Sequence, residues 1–174
     1  LDTLSSDRAH RLGRALAKHE TPVTTTLSLI LLSLDQPTRP TLQGNSPWSG
    51  YGKVWARNAA TLAEAGVPLV VGTDWAPTFP GTMGNEEPPI QPGVVTHTEL
   101  RLLRWGGLSR GAILEAATAN AAQALEMGDE IGTLEAGKLA DLIVVDGNPL
   151  ADLSALDSIE AVVQGGEVVA GSPE

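Results

Sequence analysis

An aspartate lies just beyond a short apolar segment near the middle of the chain. Residues 68–72 read Pro-Leu-Val-Val-Gly, and Asp74 follows two residues later. A continuous apolar run of this length is typical of a strand buried on both faces of a parallel sheet. Parallel α/β architectures place their sites at the carboxyl ends of such strands. We therefore predict a functional role for Asp74, although an aspartate there also suits a capping role.

Two further side chains near Asp74 in sequence are candidates for a substrate pocket. Trp75 directly follows the aspartate, and a tryptophan in that position suits the wall of an apolar pocket. His97 lies with Glu99 at the start of a predicted helix, beyond a segment rich in proline and glycine. Both could reach over a pocket mouth, but a solvated first turn of a helix explains them equally well.

The supply of metal ligands is small. The chain has no cysteine and only three histidines, His10, His19 and His97. A transition-metal site would have to combine them with carboxylates, which favours zinc, manganese or iron. His10 and His19 lie nine residues apart on one predicted helix, which is not the i, i+4 spacing of helical zinc sites. We expect both to be surface residues.

The composition excludes several classes of function. Lys and Arg number 11 against 21 Asp and Glu, so the formal net charge is −10. Such a charge disfavours nucleic acid and anionic membrane surfaces as partners. The longest strongly apolar run, residues 27–34, is far shorter than the roughly 20 residues that span a bilayer. No glycine-rich phosphate loop follows a predicted strand, so a nucleotide-type cofactor is disfavoured. No secretion signal opens the chain, and we expect a cytoplasmic protein.

The pattern of apolar residues predicts an α/β region followed by a β-rich region. Helices are predicted over residues 6–20, 53–65, 96–105 and 109–127, and irregular segments over 36–52 and 75–96. Strands are predicted over residues 23–29, 68–72, 131–134, 141–146, 159–164 and 167–170. Gly165 and Gly166 separate the last two strands and indicate a hairpin turn. The change of pattern places a domain boundary near residue 128.

Several motifs in the same order resemble one enzyme family. They are Ala65–Pro68 leading to Val71–Asp74, His97–Leu100, Ala117–Ala122, Gly132–Val145 and Asp146–Leu150. Together they resemble the C-terminal portion of the amidohydrolase superfamily, in its imidazolonepropionase-like and prolidase-like branch. The resemblance extends over nearly the whole chain.

The resemblance implies a fold and a reaction. Residues 1–127 would be the C-terminal part of a (β/α)₈ TIM-like barrel, with strands seven and eight near 23–29 and 68–72. Residues 128–174 would supply the C-terminal strands of a small β-sandwich. Asp74 would be a ligand of one or two divalent metal ions, zinc above all, and the general base for the attacking water. The expected reaction is metal-dependent hydrolysis of carbon–nitrogen bonds in a small amide, cyclic imide or dipeptide.

The family's other metal ligands have no counterparts in this sequence. Its His-x-His motif, its bridging lysine or glutamate, and the histidines that end strands five and six are all absent. We therefore expect a fragment that is inactive alone and needs a missing N-terminal half or a second chain, with a homo-oligomer as one form. The alternative is a non-catalytic assembly module that completes a barrel with another chain.

Overall fold

The structure of the chain, a computed structural model, describes residues 6–28, 49–74 and 93–172. It divides into two compact units, Leu1–Leu108 and Ser109–Glu174. The predicted boundary near residue 128, between a barrel part and a sandwich part, stays a prediction. The mixture of helices and strands agrees with the predicted α/β class.

The first unit combines three helices with two short parallel strands among its described residues. Its elements are α1 (Ser6–Lys18), β1 (Val23–Thr25), α2 (Ser49–Glu64), β2 (Leu69–Val71) and α3 (Val94–Gly106). The two strands pair in parallel, with Val23 opposite Leu69 and Thr25 opposite Val71. The apolar run before Asp74 is therefore a strand of a parallel sheet, as predicted.

Small residues let the helices of the first unit pack closely. Helix α2 contacts both α1 and α3. Ala56 on α2 is fully buried, and Gly106 at the end of α3 lies against its backbone. The Lys53 ammonium lies 5.2 Å from the centre of the Trp105 ring, which adds a cation–π contact between the same two helices. Trp55 and Trp105 are both half-buried.

Glycines end two of these helices where the sequence predicts. Gly66, after α2, has φ +89°, and Gly107, after α3, has φ +115°. Both angles fall in the left-handed region, where glycine has no steric penalty. The Gly107 amide donates to the Arg104 carbonyl, so the last turn of α3 is satisfied. The helix boundaries therefore agree with prediction to within a few residues.

The second unit begins with two short helices, where the sequence predicts one helix over residues 109–127. They are α4 (Arg110–Ala117) and α5 (Ala119–Ala124). Ser109 is the N-cap of α4, because its hydroxyl accepts a hydrogen bond from the Ala112 amide at 3.1 Å. Thr118 interrupts the helix with φ −129° and ψ −87°. Its hydroxyl donates to the Leu114 carbonyl at 2.7 Å, a local bond that bends helices.

A three-stranded antiparallel sheet completes the second unit. It contains β3 (Leu142–Val145), β4 (Ile159–Gln164) and β5 (Glu167–Gly171) in that order, with a 3₁₀ helix at Leu153–Asp157. The predicted hairpin between β4 and β5 is confirmed, since Gly165 and Gly166 have φ +58° and +85°. The Asp141 carboxylate accepts from the Gly165 amide at 2.7 Å and ties this turn to the start of β3.

The strand predicted over residues 131–134 is wrong, because that segment is a bent turn. The Lys138 side chain is only 15% exposed, although lysine is usually a solvated residue. Its ammonium donates to the Gly128 carbonyl at 2.7 Å and to the Thr133 hydroxyl at 2.5 Å. Gly132 has φ +93° and lies against Thr118 and Ala122. These contacts hold the segment as a turn.

In the described ranges, no helix is both long and apolar enough to cross a membrane.

The contact between Gly106 and Ala56 predicts a large effect for a small substitution. In Gly106→Ala the new Cβ would lie 2.3 Å from the Ala56 carbonyl oxygen. Because the obstacle is backbone, α2 and α3 would have to separate, and we expect a loss of about 1–3 kcal/mol in the free energy of unfolding. Urea denaturation followed by circular dichroism measures it. Gly111→Ala on α4 is the matched control, since its nearest atom is 3.9 Å away, and it should not destabilise.

The cap of the 3₁₀ helix predicts a pH-dependent stability. The Asp152 carboxylate accepts from the Ser154 amide at 3.0 Å, and hydrogen bonds from the Ser154 backbone and side chain lower the pKa of Asp152. A lowered folded-state pKa stabilises the fold above the usual aspartate value of about 3.9, and this contribution is lost as the pH falls below that value. Asp152→Ala should therefore destabilise at pH 7 and lose its effect in acid. Asp152→Asn, which still accepts the bond, should show a smaller change at pH 7; an equal deficit of Asp152→Ala at both pH values contradicts this prediction.

Candidate active site at the carboxyl edge of the parallel strands

The parallel pairing of β1 and β2 brings two chain segments to one edge. The last paired residues are Thr25 and Val71. One further bond extends the ladder, because the Gly72 amide donates to the Thr25 carbonyl at 3.0 Å. A side chain at Gly72 would collide with Thr24, since its Cβ would lie 2.4 Å from the Thr24 methyl carbon. Glycine at this position therefore lets β2 run close to β1 immediately before Asp74.

Asp74 lies at this edge in an unusual backbone conformation. It is three residues beyond Val71, its side chain is exposed, and its φ is +49°. Positive φ is uncommon for residues other than glycine, although aspartate and asparagine tolerate it better than most. Such a conformation at a strand end is a feature that clusters at functional sites. Asp74 therefore follows the carboxyl end of a strand in a parallel sheet; its role as a ligand or base stays a prediction.

The other two predicted site residues are less well defined. Trp75 lies outside the described residues. His97 is half-buried in the first turn of α3, and its amide donates to the Gly93 carbonyl at 3.0 Å. Within the described ranges, no group of three or more histidine, aspartate or glutamate residues could hold a metal ion. The structure therefore places Asp74 and His97 on elements of the same unit without assembling a metal centre around them.

Glu99 is the residue whose environment sequence analysis misjudged. It was expected in a solvated first turn or over a pocket mouth, but it is 0% exposed. Its Oε2 accepts a hydrogen bond from the Ser28 amide at 2.6 Å. Ser28 is also 0% exposed. The strand predicted over residues 23–29 ends at Thr25, and Leu27 and Ser28 are already helical. The Ser28 amide therefore lies beyond the ladder with β2, and it donates to Glu99 instead.

A signal for this burial was present in the sequence. Val95, Glu99, Leu102 and Leu103 follow the i, i+4, i+7, i+8 spacing of one helix face, and all four are buried. A glutamate inside an apolar stripe indicates either an exposed flank or a buried partner. The partner lies 71 residues away in sequence, and no local pattern could have identified it.

The described residues supply one plausible metal ligand at this edge. Zinc sites use three or four protein ligands, and Asp74 is a single carboxylate. The exposed position of Asp74 suits an oxygen ligand, but the described residues do not make a complete site. Further ligands would have to come from outside them.

Comparison with known proteins identifies the family. The model of the Amidohydrolase family matches residues 51–169. An imidazolonepropionase of Caldanaerobacter subterraneus is 37% identical over 89 residues, which are 51% of this chain and 19% of that protein. One of Aromatoleum aromaticum is 44% identical over 84 residues, 48% of this chain and 18% of that protein. The chain thus spans about a fifth of the length of these curated relatives.

Solved structures agree with this assignment. Molinate hydrolase matches with a TM-score of 0.68 and 27% identity over 91% of this chain and 34% of that one. A putative prolidase from Bifidobacterium longum matches with a TM-score of 0.58 and 32% identity over 88% of this chain and 36% of that one. The family model alone matches more than half of the residues. As its motifs predicted, this chain belongs to the amidohydrolase family.

Proposed function

We propose that this chain is part of a hydrolase that cleaves carbon–nitrogen bonds in small molecules, with Asp74 in its active site. The observation that carries the proposal is the position of Asp74 at the carboxyl edge of two parallel strands, in a chain of the amidohydrolase family. Sites in parallel α/β barrels lie at this edge. We further propose that β1 and β2 are the seventh and eighth strands of a (β/α)₈ barrel and that residues 128–174 belong to a β-sandwich.

Asp74 would act as a general base. An exposed carboxylate at the strand edge can orient a water molecule and accept its proton as the water attacks a carbonyl carbon. Asp74 has a left-handed backbone three residues beyond β2, and its side chain is exposed. A carboxylate that both orients and deprotonates water needs no second residue for those two tasks.

The proposed cofactor is a divalent metal ion, with zinc as the first choice. Asp74 would contribute one oxygen ligand, and the remaining ligands would come from residues outside the described ranges or from the rest of a longer protein. When bound, such an ion lowers the pKa of a water molecule toward neutrality.

The substrate class follows from the relatives. Curated relatives are imidazolonepropionases, and solved neighbours include molinate hydrolase, phenylurea hydrolase B and a prolidase complexed with N-methylphosphonate-L-proline. We propose that the longer protein hydrolyses a carbon–nitrogen bond of a small molecule and that it acts in the cytoplasm.

A second candidate is an assembly module without catalytic activity. It is favoured by the two-stranded parallel sheet, whose outer strand edges have no partner strand among the described residues. Unpaired edges are sites for pairing with another chain. Under either proposal, a barrel requires strands beyond β1 and β2, supplied by the rest of a longer protein or by a second polypeptide. Light scattering separates the two, because a lone, stable monomer argues against the module.

The backbone at Asp74 predicts that its side chain is not there for stability. In Asp74→Gly the positive φ is free of steric cost, so the free energy of unfolding should stay equal or rise by a few tenths of a kcal/mol. Asp74→Val should lower it by about 1 kcal/mol, because a β-branched residue disfavours the left-handed region. Urea denaturation of both variants measures the difference. A strong loss in Asp74→Gly would show that the carboxylate is a structural cap.

The activity test uses the longest natural protein that contains these residues. We expect hydrolysis of at least one member of a panel containing an imidazolone, an Xaa-Pro dipeptide, a thiocarbamate and a phenylurea. Asp74→Asn keeps the backbone conformation and should lower kcat/KM by about 10²- to 10⁴-fold. The exposed Asp129→Asn is the matched control and should leave turnover unchanged.

Metal content and the isolated chain complete this test. The full protein should contain a stoichiometric divalent ion by mass spectrometry, and chelation should abolish turnover. The 174-residue chain alone should hydrolyse none of the panel. A full protein without any divalent ion, or an Asp74→Asn variant with normal turnover, would refute the proposed function.

A further inference from the structure

The contact between Glu99 and Ser28 joins two distant parts of the first unit. Glu99 lies on α3, six residues after its N-cap Gly93. Ser28 lies three residues after Thr25, the last paired residue of β1. The 2.6 Å separation of the Glu99 Oε2 and the Ser28 nitrogen is short for a hydrogen bond from an amide. A short bond of this kind is expected when the acceptor is a carboxylate, and it is stronger than a neutral one.

Stability alone is a poor explanation for this arrangement. A buried charged or polar group is costly unless its hydrogen-bonding capacity is filled. The second carboxylate oxygen, Glu99 Oε1, and the Ser28 hydroxyl are buried without a hydrogen-bond partner in the part of the chain that the structure describes. An apolar side chain of the same size on α3 would avoid this cost, as replacements of buried ionic groups often do. What an apolar residue cannot do is hold a particular main-chain N–H.

The N–H that Glu99 holds belongs to the same edge as Asp74. Thr25 and Val71 face each other in the ladder, and Ser28 and Asp74 each lie three residues beyond them. The chain leaves β1 after Thr25, and Leu27 and Ser28 are already helical. The short ladder ends with the bond from Gly72 to the Thr25 carbonyl. Glu99 therefore anchors the main chain that leaves β1 at the place where β2 delivers Asp74.

We propose that Glu99 is a positioning residue of the active site, which rests on the proposed function for Asp74. Its carboxylate holds the Ser28 amide from the α3 side and so sets where the chain leaving β1 lies relative to Asp74. The hydrogen-bond donor to Glu99 is the Ser28 amide and not Asp74, so its proposed effect on the reaction is indirect. The required property is an acceptor oxygen at the end of a side chain of this length, rather than bulk on the α3 face.

The test compares three substitutions in the full protein. Glu99→Gln keeps an acceptor oxygen at the same distance, whereas Glu99→Met fills the same space without an acceptor. Glu64→Gln on α2 is the matched control, because Glu64 is exposed. Should Glu99→Met fail to fold, Glu99→Asp replaces it, since its shorter side chain cannot reach the Ser28 amide in the same geometry.

Amide hydrogen exchange measures directly whether Glu99 protects the Ser28 amide. In Glu99→Met the amides of Ser28 and Gly72 should exchange about tenfold faster or more, because a hydrogen bond to a charged group is lost. The amide of Leu102, in the middle of α3, should keep its rate. Glu99→Gln should restore most of the protection at Ser28 and Gly72, and Glu64→Gln should change neither. Unchanged exchange at Ser28 and Gly72 in Glu99→Met overturns the proposal, whether or not the protein hydrolyses any substrate.

Kinetics then separate positioning from a purely structural role. At equal metal content, Glu99→Met should lower kcat/KM by about tenfold or more, and Glu99→Gln should stay within about threefold of the wild type. Faster exchange at Ser28 with normal kcat/KM in Glu99→Met overturns the positioning role. A wild-type protein that turns over no substrate refutes the proposed function instead, and the proposal for Glu99 then stands or falls on the exchange rates at the Asp74 edge.

Discussion

The parallel pairing of β1 with β2 is the constraint on which the candidate site depends. Only parallel strands deliver their carboxyl ends to the same edge, and here that edge receives Asp74 from β2 and Ser28 from β1. The pairing is short, so single residues matter. Gly72 allows the two strands to approach closely, and its amide donates a further bond to the Thr25 carbonyl two residues before Asp74.

Two acidic residues near this edge have opposite environments. Asp74 is exposed on a left-handed backbone, which suits a group that exchanges protons with water. Glu99 is fully buried and bonded to a main-chain amide, which suits a fixed anchor. In the proposed site Asp74 would take part in the chemistry, and Glu99 would hold the backbone beside it.

The second unit has a different organisation. Its three-stranded sheet is ordered by local connections, with the Asp141 carboxylate on the Gly165 amide and Lys138 inside the turn that precedes β3. Several apolar side chains of this unit remain exposed, among them Leu134 at 80% and Val169 at 56%. Exposed apolar side chains of this kind mark surfaces that can pack against other chain segments.

The amino-acid sequence by itself determined the α/β class, the strand before Asp74, the ends of α2 and α3, and the hairpin at Gly165 and Gly166. It also carried the motifs by which the family was predicted and then confirmed. These features depend on local chemistry, namely apolar runs, glycine at positive φ and caps within a few residues.

Tertiary structure decided what local patterns could not. Thr118 divides a predicted helix, and Lys138 turns inward. β1 ends at Thr25, and Glu99 is buried against an amide 71 residues away. The burial of Glu99 depends on which distant backbone group comes within hydrogen-bonding distance, whereas the bonds of Thr118 and Lys138 are made within about ten residues. For Glu99 that distance is set by packing of whole elements rather than by the order of residues within one of them.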